Sequence, residues 1–233
     1  MTNNSIPLIL FAAATMLMLP KIALAQHEDK DQFIDIQTVL STLKYDIKYY
    51  SNDNFVGTRI NGYQAEKCFI DKRAIADLKK ASDALNQQGF RFKFFDCYRP
   101  ERAVAHFMHW AKDLTDQKTK TQYYPNIDKD TLVGPYIAER SGHSKGFTVD
   151  LTIEKLQNGK WTEVDMGSAF DLFDEKSHTL SPLISKQQQQ SRLFLRDHLA
   201  QHGFKNYSLE WWHYTYNKVP KSQASEAYDF VVK

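Results

Sequence analysis

His143 and Asp150 lie in the block Ser141-Gly-His-Ser-Lys-Gly-Phe-Thr-Val-Asp150, and Glu210 and His213 in Glu210-Trp-Trp-His213. Two imidazoles and one carboxylate can fill three positions around a zinc ion, leave the fourth to water, and leave a further carboxylate to take that water's proton. The two blocks therefore hold the inventory of a metal-dependent hydrolase. A lone Asp on the polar face of a strand ordinarily meets solvent. Asp150 is different because His143 precedes it by seven residues across a turn that Gly146 permits, so one loop and one strand can present both to a single point. Glu210 and His213 are three apart, which places them on one side of a helix but on opposite faces of a regular strand. Trp211, Trp212, Tyr214 and Tyr216 favour a strand. Both residues can then face one metal only if the backbone turns or bulges near Trp211 or Trp212. His106 and His109 are also three apart but have no carboxylate to complete a site, and His178 reads as a hydrogen-bonded structural histidine.

Elements able to position these residues follow from periodicity. Between Asp71 and Gln88 the apolar residues Ile75, Leu78, Ala81 and Leu85 recur at helical spacing, and Gly89 stands where a helix ends. Phe90-Arg-Phe-Lys-Phe94 alternates with period two and leads into Asp96-Cys-Tyr-Arg-Pro100, where Pro100 and Glu101 open a second helix running to about Lys112. Arg99 thus falls at a strand-to-helix junction, a place from which a side chain can reach a cleft. Residues 113–130 read as a surface loop. In Phe147-Thr-Val-Asp-Leu-Thr-Ile153 the apolar residues share one face while Thr148, Asp150 and Thr152 share the other. Asn158-Gly159 signals a hairpin with a partner strand near Lys160 to Val164. A last helix is expected over about Gln190 to His202, ending at Gly203, and a strand over Tyr207 to Tyr216. This irregular order indicates an α+β fold with a central, mostly antiparallel sheet flanked by helices.

Composition narrows the class. Ile6 to Leu19 is almost wholly apolar and is followed by Ala23-Leu24-Ala25, the pattern of a secretory signal cut between Ala25 and Gln26. The apolar run is shorter than the about 20 residues a membrane span needs, so no stable membrane insertion is expected after cleavage. Residues 26–233 are enough for one domain with a substantial core. The formal net charge of +2 includes Lys21, and no basic stripe is present, which argues against nucleic acid as a partner. A periplasmic or secreted location is oxidising. There Cys68 and Cys97 are expected to form a disulfide worth about 3 to 4 kcal/mol in the chain-entropy account.

At this point the motifs resemble a known family. Ser141-x-His143 with Gly146 and Asp150, then Glu210-x-Trp212-His213, are similar to the signature of zinc D-alanyl-D-alanine dipeptidases of the vancomycin-resistance type, within the D,D-peptidases that share the hedgehog-domain fold. Asn54-Phe55-x-Gly57, Asp96-x-Tyr-Arg-Pro100, Tyr123-Tyr-Pro-Asn-Ile-Asp128, Met166-Gly-Ser-x-Phe-Asp171 and Asp229-Phe extend the likeness from Phe33 to the C-terminus. The resemblance implies one Zn2+ per chain held by His143, Asp150 and His213. It makes Glu210 the general base and acid for the attacking water, and Arg99 the group that steadies the oxyanion. Tyr49, Ser141 and Asp171 then line a dipeptide pocket, with Asp171 suited to the substrate's ammonium. The implied substrate is a small D,D-dipeptide, D-Ala-D-Ala in peptidoglycan turnover. The alternatives are a D,D-carboxypeptidase or endopeptidase acting on longer wall peptides, and a zinc-stabilised wall-binding module without turnover. Oligomeric state stays open.

Overall fold

A computed structural model describes residues 30–233 together with Met1. The expected signal segment and its cut before Gln26 lie, Met1 aside, outside the described residues. Among the described residues no helix is long and apolar enough to cross a membrane.

The frame is a six-stranded sheet. Strands β2 (Leu43–Tyr45), β4 (Phe90–Asp96), β5 (Thr148–Gln157), β8 (Glu210–Tyr216) and β7 (Phe204–Tyr207) are hydrogen-bonded in that order, and β6 (Lys160–Glu163) also pairs with β5. Only the β2–β4 pair is parallel; the others are antiparallel. A separate antiparallel pair joins β1 (Phe33–Asp35) to β3 (Phe69–Asp71). Helices α1 (Lys72–Asn86) and α4 (Lys186–Gln201) cover one face, tied together by His198 Nε2 and the Ala81 carbonyl at 2.8 Å. Helix α2 (Glu101–Lys112) follows the Arg99 junction. The fold is α+β with a mostly antiparallel sheet.

Local chemistry explains the boundaries. Asp71 caps α1 by accepting from the Arg73 amide, and Ser185 and Gln188 form a reciprocal capping box at the start of α4. The β5–β6 hairpin turns through Asn158 and Gly159, both at positive φ, as a tight primed turn requires. Phe92, Phe94, Val149, Leu151 and Ile153 form the buried centre of the sheet. The Cys68–Cys97 disulfide is present, with a Cα–Cα distance of 5.1 Å, and fastens the approach to β3 to the exit of β4.

Thr148, Asp150 and Thr152 are 0%, 2% and 0% exposed, so the polar face of β5 is buried at these positions. Two expectations need correction. Residues 113–130 are not simply surface loop: a single helical turn, α3 (Lys120–Tyr123), lies within them, and Tyr123, Tyr124 and Lys129 are buried. The expected strand from Tyr207 to Tyr216 is the end of β7 and all of β8, with the chain reversing at Ser208-Leu209. That reversal has no Gly or Pro to announce it.

Candidate active site

The start of β5, the turn before it and the bulged start of β8 carry the convergent groups. His143 belongs to a single 3-10 turn, His143–Lys145, closed by Gly146 in the left-handed region at φ 78°. A Cβ at Gly146 would fall 2.3 Å from the Phe33 ring, so glycine is required for space as well as conformation. The chain then enters β5, and Asp150 stands directly opposite His213 on β8. His143 Nε2 lies 3.2 Å from Asp150 Oδ2 and 3.3 Å from His213 Nδ1, and His213 Nδ1 lies 3.0 Å from Asp150 Oδ1. Among the described residues, His143, Asp150 and His213 form the group whose ligand atoms converge, all within 4.8 Å of one another. Asp150 Oδ1 is buried and makes no hydrogen bond in spite of that short approach. Ligand atoms that crowd one point and leave a buried carboxylate oxygen without a hydrogen bond fit a shared divalent cation.

Protonation supports that fit. His143 Nδ1 is 2.7 Å from the Cys97 carbonyl, which can only accept, so the proton sits on Nδ1 and Nε2 presents its lone pair to the cluster. Burial pulls the His213 imidazole down, favouring its neutral form against the attraction of Asp150. Burial works to raise Asp150, but His143 and His213 outweigh it and hold the carboxyl well below the usual range.

The expected irregularity in β8 is found. Along β7 the partner changes from Tyr214, opposite Asn206, to Glu210, opposite Tyr207. One step on β7 therefore spans four on β8, and Trp211, Trp212 and His213 bulge out of the ladder. The bulge cancels the strand alternation, so Glu210 Oε2 comes within 3.4 Å of His213 Nδ1. Burial, then the Asp150 and Asp171 carboxylates, push the Glu210 carboxyl well above its ordinary value.

Arg99 reaches the same place from the β4–α2 junction. Its Nε donates to Asp96 Oδ2 at 2.9 Å and its Nη2 to Asp150 Oδ2 at 3.4 Å, while the guanidinium lies over the Tyr49 and Phe107 rings, 5.1 Å from each centroid. Asp96 is itself fixed by the Tyr63 hydroxyl at 2.6 Å.

These groups open onto a cavity of about 300 Å³ lined by Tyr49, Arg99, Ser141, Asp171, Glu210 and Trp212, among others. That volume sits at the small end of ligand cavities, roughly 300–1,000 Å³. Asp171 has a left-handed backbone, φ 58°, an uncommon conformation for a residue with a side chain. Tyr49 donates to its Oδ2 at 2.9 Å, and burial followed by Asp150 pushes its carboxyl well above normal. Ser141 Oγ accepts from the His143 amide at 3.2 Å. All eight residues singled out in the sequence are therefore in the cavity wall. His106 is not; its Nδ1 accepts from the Asn61 amide.

Sequence reasoning missed several neighbours. The wall also includes Pro135, Tyr136 and Ile137, and the rim is fastened by Tyr207 Oη donating to the Pro135 carbonyl at 3.0 Å. Tyr136 Oη lies 3.2 Å from His178 Nε2, which gives His178 a place at the rim. Gly134-Pro135 was a readable turn signal, but nothing in it pointed to a cavity. The Cys97 carbonyl had no signal, since any residue type supplies one.

Comparison with known proteins agrees with the geometry. Residues 29–232 match the Peptidase_M15, D-ala-D-ala dipeptidase, family model. A D-alanyl-D-alanine dipeptidase of Enterococcus faecium is 38% identical over 86% of this chain and 98% of its own length. One of Streptomyces coelicolor is 37% identical over 81% and 93%. A third, of Escherichia coli, is 31% identical over 80% and 85%. With a family match over nearly all the described residues and relatives aligned almost end to end, the chain belongs to the peptidase M15 family of D-ala-D-ala dipeptidases and is a metallopeptidase.

Proposed function

We propose that the protein hydrolyses the free dipeptide D-Ala-D-Ala, with one zinc ion held by His143, Asp150 and His213. When bound, zinc supplies Lewis-acid activation of water and of the scissile carbonyl. Glu210 Oε2 takes a proton from the attacking water and returns it to the leaving nitrogen; a carboxyl raised towards the working pH exchanges protons efficiently in both directions. The Arg99 guanidinium, held in place by Asp96, donates to the oxygen that becomes negative as the carbonyl is attacked. Tyr49 and Asp171 receive the substrate's ammonium, and Ser141 lies in the wall beside them.

The observation that carries the dipeptide reading is Asp171. It is a buried carboxyl in a strained backbone conformation, bonded to a tyrosine hydroxyl and to no cationic side chain, and burial and then Asp150 push it well above its ordinary value. A free ammonium supplies a positive partner; an acylated amine does not. The small cavity and its fastened rim point the same way. Residues 26–233 form the catalytic domain, and residues 1–25 direct it to the periplasm or beyond, where D-Ala-D-Ala released from peptidoglycan is its substrate. The zinc-loaded mature protein is to be incubated with D-Ala-D-Ala, N-acetyl-D-Ala-D-Ala and a pentapeptide stem, following D-alanine release. Release from the free dipeptide alone is expected. Release from the acylated dipeptide or the stem at a similar rate would instead establish a carboxypeptidase, and release from none a binding module.

A further inference from the structure

A three-residue bulge in a sheet must leave carbonyls without ladder partners, and here those carbonyls belong to the two residues that the bulge exists to align. Glu210 and His213 flank Trp211-Trp212, and strand pairing to β7 jumps from Tyr214 to Glu210. The Asn206 side chain fills the gap. Its Nδ2 donates to the Glu210 carbonyl at 3.0 Å and to the His213 carbonyl at 3.1 Å. Its Oδ1 accepts from Thr179 Oγ1 at 2.6 Å, and Thr179 is buried and anchored by its own amide to the Ser208 carbonyl at 2.9 Å.

Both N–H donors of that carboxamide and one lone pair of its oxygen are engaged. A carboxamide has two N–H donors; two carbonyls, which only accept, use both, and a hydroxyl donates to its oxygen. The amide orientation is thereby fixed by its surroundings. No other common side chain of this length offers two hydrogens on one atom together with an acceptor beside it. Asp lacks the hydrogens and Leu lacks all polarity.

We infer that Asn206, oriented by Thr179, is a positioning residue: its carboxamide holds the Glu210 and His213 carbonyls in the bulge and so keeps both side chains on the metal side of β8. Without it the ladder tends to close up, and closure turns residues three apart to opposite faces. This inference rests on the metal and base assignments proposed above, so its test must separate the two. Groups that orient metal ligands typically account for about 10- to 100-fold in metal affinity or activity.

Zinc dissociation constants, kcat and KM are to be measured for the mature protein and for Asn206→Ala, Thr179→Val, Thr179→Ser and His213→Ala, with thermal midpoints alongside. Asn206→Ala is expected to weaken zinc by about 10- to 100-fold and to lower kcat with KM held within about twofold. Thr179→Val should give a smaller loss of the same kind, and Thr179→Ser, which keeps the hydroxyl, should match the parent. If Asn206→Ala does not fold, Thr179→Val against Thr179→Ser decides. Unchanged zinc affinity and kcat in both Asn206→Ala and Thr179→Val, with or without a fall in midpoint, overturns the inference while leaving the metal site intact. Unchanged zinc affinity in His213→Ala overturns the metal assignment itself.

Discussion

Two arginines are nearly withdrawn from water, and they are held in opposite ways. Arg99, at the cavity, has carboxylates for company: Asp96 at 2.9 Å and Asp150 at 3.4 Å. Arg192, on α4, is fully buried and has only neutral acceptors, the Met166 carbonyl at 2.6 Å, the His178 carbonyl at 2.6 Å and Ser168 Oγ at 3.2 Å. Their acidities differ accordingly. Burial pulls Arg192 down to about 10, whereas at Arg99 the neighbouring Tyr49, Asp96, Tyr63 and Asp150 outweigh burial and hold it above the ordinary guanidinium value. Arg99 faces the cavity in which, on the proposed mechanism, charge develops; Arg192 pins the segment from Met166 to His178, which carries Asp171, beneath Trp211. On that proposal, buried positive charge serves chemistry in the first case and architecture in the second.

Substitution can break that contrast. Arg99→Ala is expected to cut kcat by about 10²–10³-fold, the size of losing one preorganised oxyanion donor. Its urea midpoint should move less than that of Arg192→Met. Conversely, Arg192→Met should destabilise the fold by about 3 kcal/mol, because three acceptors lose a donor at roughly 1–3 kcal/mol each while a desolvated charge is relieved. At temperatures where it stays folded, its kcat should stay near the parent's. If Arg192→Met lost turnover without losing stability, the division between the two arginines would be wrong.

A smaller effect sharpens the same point at the far end of β8, where Asp77 of α1 accepts from Tyr216 Oη and Lys218 Nζ, both at 2.8 Å. Those two bonds lower its carboxyl from 3.8 to about 2. A depressed folded-state pKa stabilises above the unfolded value and loses that contribution as protons bind. Asp77→Asn should therefore be slightly less stable than the parent at neutral pH, with the gap closing between about pH 4 and pH 2. Paired acid titrations followed by circular dichroism would show it. Turnover at neutral pH should not change.

Much of this was legible beforehand, and the rest was hidden for identifiable reasons. The β5 alternation marked the strand, Asn158-Gly159 marked its hairpin partner, and the clash between i,i+3 spacing and strand geometry required a bulge at Trp211-Trp212, which is where the β7 ladder breaks. The burial of Thr148 and Thr152 was not legible, because alternation separates the two faces of a strand without saying what covers the polar one. Strands β1, β2 and β3 have three residues each, too few to display a period. Asn206 and the Cys97 carbonyl act through backbone acceptors, which every residue possesses, so no pattern of side chains marks them.

Central to the proposed chemistry is the separation of roles between Glu210 and the three converging residues. It is tested most directly by zinc content and D-alanine release measured together on Glu210→Ala. The prediction is one zinc per chain, as in the parent, and no release of D-alanine from D-Ala-D-Ala above the uncatalysed background. Loss of zinc would make Glu210 a ligand, and retained turnover would place the base elsewhere; either result contradicts the account.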